Sequence, residues 1–330
     1  MTEEQAALKA FEMLSQQSVG QIATSFHYDY DKPGVITILF LSAQELDSAK
    51  GSVANSIEID DIAIRHRFEL VLRTGPRIDP ALGRLDEIDA EAAMSFPTEG
   101  GDVARIEGSN FFGTVGIAVS RIRLEAATRA GTRYVCEGDR AFLSNNHVIA
   151  DYDRAAIGTA LRAGTGTSIL GSFFPMRDIL LHFDFALGIN LSQGSFIGGT
   201  IRGLGSVSQV IRNPAANGES IRKVGARTGL SSGRTVGRTS IRSSGYQEQQ
   251  RWFNGVYKTT QGFGRGGDSG SIVVSDSMDI LGLYSWSDRE EEAPFPTNFG
   301  YFFTLGPDQY PIGDGPSVAI EYGSPSDKST

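Results

Sequence analysis

Three side-chain types in this sequence could together break an acyl bond. They are a serine in a glycine-rich run, a histidine closing an apolar stretch, and an aspartate set among apolar residues. Ser269 lies in Gly266-Gly267-Asp268-Ser269-Gly270. His147 lies in Phe142-Leu143-Ser144-Asn145-Asn146-His147-Val148-Ile149, and Asp184 in His182-Phe183-Asp184-Phe185-Ala186-Leu187. Hydrolysis of an amide near neutral pH needs a nucleophile stronger than a resting hydroxyl. A neutral imidazole supplies it by taking the hydroxyl proton during attack, and a buried carboxylate holds that imidazole in one tautomer. The oxyanion that forms needs fixed N–H donors, and a glycine-bearing turn provides them. Here the amides of Gly267 and Ser269 are the candidates.

Each piece has a plainer reading. Gly-Asp-Ser-Gly is also an ordinary structural turn, and a lone histidine after a strand is also a surface residue. Asp184 is costly to bury without a partner, and orienting an imidazole is one way to satisfy it. Asp151, Asp153 and Asp178 are rival carboxylates in more polar runs. The sequence has four histidines, His27, His66, His147 and His182. His182 would share a strand face with Asp184 and could tune it. Cys136 lacks a glycine turn and reads as a buried thiol.

Taken together, the order His147, Asp184, Ser269 resembles the chymotrypsin/trypsin-like serine peptidases. Ser144-Asn145-Asn146-His147 resembles that family's histidine motif, and Asp184-Phe185-Ala186-Leu187 its aspartate motif. Leu281-Gly282-Leu283-Tyr284-Ser285-Trp286-Ser287 resembles the strand on which the family pairs substrate backbone. Val224 to Gly233 is similar to the disulfide-poor bacterial branch, and the whole pattern to the intracellular trypsin-like peptidases that include the plant narrow-leaf type. The match spans about residues 100 to 306. It implies a serine endopeptidase acting on protein or peptide substrates, probed at Phe263, Ser285, Trp286 and Ser287, with no metal or other cofactor. The competing function is a protease-derived binding or scaffold protein.

Departures from the family pattern carry expectations of their own. Phe263 stands where trypsins place the pocket aspartate, and Ser287 where a glycine is usual. Both argue for a small or hydrophobic residue before the cut. The charged run Asp288 to Glu292 could instead favour basic residues, or simply be solvated. Ser271 follows Gly270 where many members have proline. Asp268 is expected to pair internally with a cation from Arg222, Lys223 or Arg227, in place of a newly cut N-terminal amine.

The elements that must position these residues read as mainly β. From about residue 100, short strands alternate with Gly, Asn and Ser, and the 40 glycines of the 330 residues suit many turns. The expected fold is a chymotrypsin-like double β-barrel preceded by a small α+β domain. Residues 1–95 form that first domain, regulatory or substrate-docking, with a helix over 3–17 and strands over 19–30 and 35–41. Residues 96–310 form the peptidase domain, with barrels at about 105–200 and 205–308, and 311–330 a flexible tail.

Bulk composition narrows the partners. With 30 basic and 39 acidic residues the net charge is −9, so nucleic acid is not expected. No apolar run of membrane-spanning length occurs. A single cysteine allows no internal disulfide, and no apolar signal core follows Met1, so a cytoplasmic location is expected. A regulatory partner could dock on the N-terminal domain.

Overall fold

The computed structural model describes residues 1–70, 78–87, 98–127, 133–152, 154–156, 158–163, 169–174, 184–189, 196–215, 218–243, 251–289, 293–306 and 318–322. The fold is mainly β. One sheet contains a closed ring of six strands. Ser220–Gly225, Ile272–Ser275, Ile280–Asp288, Phe299–Thr304, Arg251–Gln261 and Gly229–Ser243 pair in that order, and the last returns to the first. In the other large sheet, Ile117–Ala127 pairs in turn through Arg133–Ser144, Ala186–Ile189, Ile169–Phe174, Ala160–Ala163 and Val103–Ile106 to Phe111–Thr114. Val115-Gly116 then leads straight back into Ile117, so the chain itself joins the two ends of this path. The two barrels share one core. Ile117, Leu143, Phe185 and Leu187 from the first meet Val224, Ile272, Leu283 and Trp286 from the second.

The strand Gly229–Ser243 explains how the N-terminal elements attach. Its first part, to Arg234, pairs with Ser220–Gly225 inside the barrel. Its continuation runs on past the barrel, and there Gly237 to Ile241 pair with Ser25–Asp29 along the same edge. An edge of this length would otherwise be left unpaired. The N-terminal sheet is thus continuous with the second barrel. It extends through Val35–Phe40, Ile62–Leu70 and Ser56–Ile59, with the first two of these parallel. The crossover between the parallel strands includes the helix Ala43–Ser52, started by a Ser42–Glu45 capping box. Helix Glu3–Gln16 buries Ala7, Ala10, Phe11 and Leu14 on this sheet, against Phe26, Ile36 and Ile38. Trp252, on the barrel's own Arg251–Gln261 strand, stacks flat on Phe26 with centroids 4.5 Å apart. Arg238 reaches Glu4 at 2.8 Å, and Lys258 reaches Asp29 at 2.8 Å.

Several expectations need correction. Ser18–Ile22 is helical rather than the start of a strand. Val19 and Ile22 are three apart, which suits one face of a helical turn, and Val19 is buried. Ile59 and Ile62 are joined by a two-residue turn with positive φ at Asp60 (47°) and Asp61 (64°). Ile78–Pro80 and Gly83–Arg84, assigned to the N-terminal domain, pair instead with the second and first barrels. Val318–Tyr322, assigned to a flexible tail, forms a strand on Ile117–Ala127, as its β-branched Val318 and Ile320 and aromatic Tyr322 suit. Among the described residues no helix is long and apolar enough to cross a membrane.

Candidate active site

His147 sits on the single helical turn Asn146–Ile149, directly after the strand Arg133–Ser144. It is nearly fully buried, and Asp184, just before strand Ala186–Ile189, is fully buried. The carboxylate meets the histidine twice. Oδ1 accepts the His147 backbone N–H at 3.1 Å, and Oδ2 bonds to Nδ1. This double contact fixes the ring, leaving Nε2 buried with no hydrogen-bond partner. Tyr152 stacks on the imidazole at 5.7 Å, held by left-handed backbone at Asp151 (φ 46°) and Tyr152 (φ 56°). Burial, and then Asp184, push its phenol pKa up, so it stays neutral beside the pair. Asn145 Nδ2 donates to Ser285 Oγ at 2.7 Å and ties the histidine turn to the second barrel.

The serine turn is shaped by glycines at positive φ, Gly267 at 99° and Gly270 at 97°. A Cβ at Gly270 would lie 2.3 Å from the Thr114 carbonyl oxygen, so only glycine allows the barrels to approach there. Thr114 clamps the turn from the first barrel. Its N–H donates to the Ser269 carbonyl at 2.6 Å, and its hydroxyl to the Gly267 carbonyl at 2.9 Å. Ser271 donates its hydroxyl to the Asp268 carbonyl at 2.5 Å, so serine at this position closes the turn from inside.

Asp268 is fully buried and its carboxylate is surrounded by donors. Lys223 Nζ lies at 3.0 Å, Thr228 Oγ1 at 2.7 Å, and the backbone N–H groups of Arg227, Thr228 and Arg265 at 3.0–3.2 Å. Of the three cations expected here, Lys223 makes the ion pair, while Arg222 pairs with Asp276. Arg227 contributes its backbone N–H to Asp268 and its guanidinium to the Gly266 carbonyl. Burial lowers the Lys223 pKa more than Asp268 raises it. The ammonium also lies 4.8 Å over the Tyr284 ring.

Ser269 donates its hydroxyl to the Ser285 carbonyl at 2.8 Å. The amides of Gly267 and Ser269 converge on one acceptor, the carbonyl of Ala81, at 2.7 and 3.3 Å. Two donors closing on a single peptide oxygen are the arrangement that would hold a tetrahedral oxyanion. Trp286 and Ser287 lie on strand Ile280–Asp288, their backbone facing Pro80 and Asp79. Phe263 is fully buried, in one hydrophobic cluster with Ala81 and Tyr284, and its ring meets Tyr284 edge-on at 6.1 Å. Asp288 turns inward, accepting from the Tyr301 hydroxyl and the Phe299 N–H, both at 2.8 Å.

The structure therefore brings His147 to Asp184, and Gly267 and Ser269 to one carbonyl, with Ser285 bonded both to Asn145 of the histidine turn and to Ser269. Phe263 lies in the same cluster as Ala81. His182, Asp153, Asp178 and the glutamates 290–292 lie outside the described residues, as does the Cys136 side chain. Sequence reasoning missed Tyr152, the tie from Asn145 to Ser285, and the segment from Ile78 to Arg84. The last carried only a domain-edge signal at Asp79-Pro80. Among the described residues no group of three His, Cys, Asp or Glu side chains is gathered as a metal site.

No protein-family model and no curated protein sequence matches the chain. Solved structures similar to it include serine proteases. A glutamic-acid-specific serine protease is 19% identical, covering 63% of this chain and 94% of that one, with a TM-score of 0.44. Thermobifida fusca protease A is 18% identical, covering 68% and 98%, at 0.41. A Nocardiopsis protease is 18% identical, covering 67% and 97%, also at 0.41.

Proposed function

We propose that the chain is a serine endopeptidase of the chymotrypsin-like kind. The observation that carries this reading is the pair of amide donors, Gly267 and Ser269, on the Ala81 carbonyl, with the Ser269 hydroxyl on the Ser285 carbonyl and a buried His147–Asp184 pair whose turn is tied to Ser285 through Asn145. In the reaction, Ser269 Oγ leaves the Ser285 carbonyl and turns to Nε2 of His147. His147 takes its proton as Oγ attacks the substrate carbonyl, and Asp184 stabilises the imidazolium. The amides of Gly267 and Ser269 hold the oxyanion. His147 then protonates the leaving amine, and water releases the acyl group by the same steps in reverse. Ser285, Trp286 and Ser287 pair the substrate backbone, and Phe263 with Tyr284 floors a slot for a small residue before the cut.

The quoted motifs support placing this enzyme in the disulfide-poor, intracellular branch, with a cytoplasmic location and limited, regulatory proteolysis. The N-terminal sheet would then serve as a regulatory or docking element. A fluorophosphonate should label Ser269 covalently, and Ser269→Ala should lower kcat by about 10⁶-fold. Folded protein that takes no label in any form would refute the reading and favour a protease-derived binding or scaffold protein.

A further inference from the structure

The segment Ile78 to Arg84 crosses the candidate cleft from one barrel to the other. On one side Ile78, Asp79 and Pro80 pair antiparallel with Asp288, Ser287 and Trp286. Next, the Ala81 N–H donates to the Ser285 carbonyl at 3.0 Å, and the Ala81 carbonyl sits between the amides of Gly267 and Ser269. Beyond Leu82, Gly83 and Arg84 pair antiparallel with Phe112 and Phe111 of the first barrel. Backbone pairing on both sides with a carbonyl in the oxyanion donors is how a peptide presents its central bond to a serine nucleophile.

Side chains fit the same register. Arg289 takes Asp79 in a two-pronged contact, Nε to Oδ2 at 2.6 Å and Nη2 to Oδ1 at 3.2 Å. Ala81 is 1% exposed and its methyl group shares a cluster with the fully buried rings of Phe263 and Tyr284. Leu82 packs against the cluster holding Val148, one residue after His147. A Cβ on Gly83 would lie 2.5 Å from the Phe112 ring and 2.8 Å from Gly267 Cα, so only glycine passes there. A Cβ on Gly266 would lie 2.6 Å from the Leu82 carbonyl oxygen.

We propose that Ile78 to Arg84 is the chain's own substrate, closing the site until the Ala81–Leu82 bond is cut; this rests on the peptidase reading above. Ser269 Oγ bonds to the Ala81 carbonyl carbon while His147 Nε2 takes its proton. The Ala81–Leu82 C–N bond breaks, and that proton passes to the Leu82 nitrogen. Water then attacks the Ala81 ester, giving a proton to His147, which passes it to Ser269 Oγ as the ester C–O bond breaks. One water is consumed, leaving a carboxylate at Ala81 and an amine at Leu82. The same contacts define the substrate class in trans: a small residue before the cut, proline preceding it, and glycine second after it.

The test uses the full chain as wild type, Ser269→Ala, Leu82→Pro, and the pair Asp79→Arg with Gly83→Val. The arginine opposes Arg289, and the valine cannot pass Phe112. Each is incubated over a wide range of dilution and followed by intact mass and N-terminal sequencing. Fluorophosphonate labelling and hydrolysis of the peptide Ile-Asp-Pro-Ala-Leu-Gly-Arg are measured in parallel. Wild type should yield fragments ending at Ala81 and beginning at Leu82, at a rate independent of dilution. Neither Ser269→Ala nor Leu82→Pro should be cut, and the Asp79→Arg/Gly83→Val form should label at least ~10-fold faster than Leu82→Pro, the factor from losing about 1.4 kcal/mol of occupancy. A wild-type chain that stays whole, or breaks elsewhere, overturns the proposal even if the opened variant labels and hydrolyses the peptide. If no form labels at Ser269, the peptidase reading falls and this one with it.

Discussion

Replacing Lys223 by methionine should loosen the serine turn more than the loss of one surface charge would. Both partners of the Lys223–Asp268 pair are fully buried, so removing the lysine leaves a carboxylate with no compensating cation. Breaking such a pair costs about 3–5 kcal/mol. Asp268 keeps Thr228 Oγ1 and the backbone N–H groups of Arg227, Thr228 and Arg265, which places the expected loss near the lower end. About 3 kcal/mol is roughly a 150-fold fall in the folded-to-unfolded ratio. The loss has a direction in space, because Asp268 stands between Gly267 and Ser269, whose amides hold the Ala81 carbonyl. Urea unfolding measures the stability, and fluorophosphonate labelling of Ser269 measures the turn. Lys223→Met should lose about 3 kcal/mol and label more slowly, while Lys223→Met with Asp268→Asn should recover part of the stability by removing the stranded charge. Lys223→Met within about 0.5 kcal/mol of wild type would refute the reasoning, since that is the scale of an ordinary surface change.

Two further outcomes follow from the N-terminal sheet. His27 is buried between Ser25 Oγ and Thr239 Oγ1, and burial, with Lys258 nearby, lowers its pKa to about 3 despite the opposing pull of Asp29. Unfolded chain therefore binds a proton that folded chain refuses between about pH 6.5 and 3, so stability should fall as pH falls across that window, by up to about 1.4 kcal/mol per unit. Urea midpoints against pH should show the slope and His27→Gln should flatten it; an unchanged slope in the variant would count against the assignment. Removing residues 1–70 should uncover the Gly237 to Ile241 edge and the face of Trp252, so the truncated chain should self-associate, as light scattering would show; a monodisperse monomer would refute this.

The candidate site was readable in the sequence to the extent that chemistry dictates residue type. A hydroxyl needing activation calls for an imidazole and a carboxylate. A turn that aims two amides at one point calls for glycine, and Gly267 and Gly270 do adopt positive φ. The barrels were readable from short apolar runs between turn residues. The attachment of the N-terminal sheet was not, because Ser25–Asp29 pairs with Gly237 to Ile241 through backbone groups that every residue carries. Helix Ala43–Ser52 is a different case. Its capping box, Ser42 with Glu45, stands in the sequence as a local start signal.

The segment at the cleft shows where that legibility stops. Ile78 to Leu82 is held mainly by main-chain bonds to Ser285, Gly267 and Ser269 and to the strand beyond, all roughly two hundred residues away along the chain. Main-chain pairing leaves little trace in residue type except where something is forbidden. At Gly83 and Gly266 a side chain would collide, and at Ala81 the surrounding aromatic cluster favours a small one. Only Asp79, matched to Arg289, writes the pairing in charge, and Arg289 reads in sequence as one more residue of a polar loop. If the segment is the substrate we propose, it is hard to see in sequence for the same reason it could be cut: the contacts grip the backbone, and side chains mainly filter what fits.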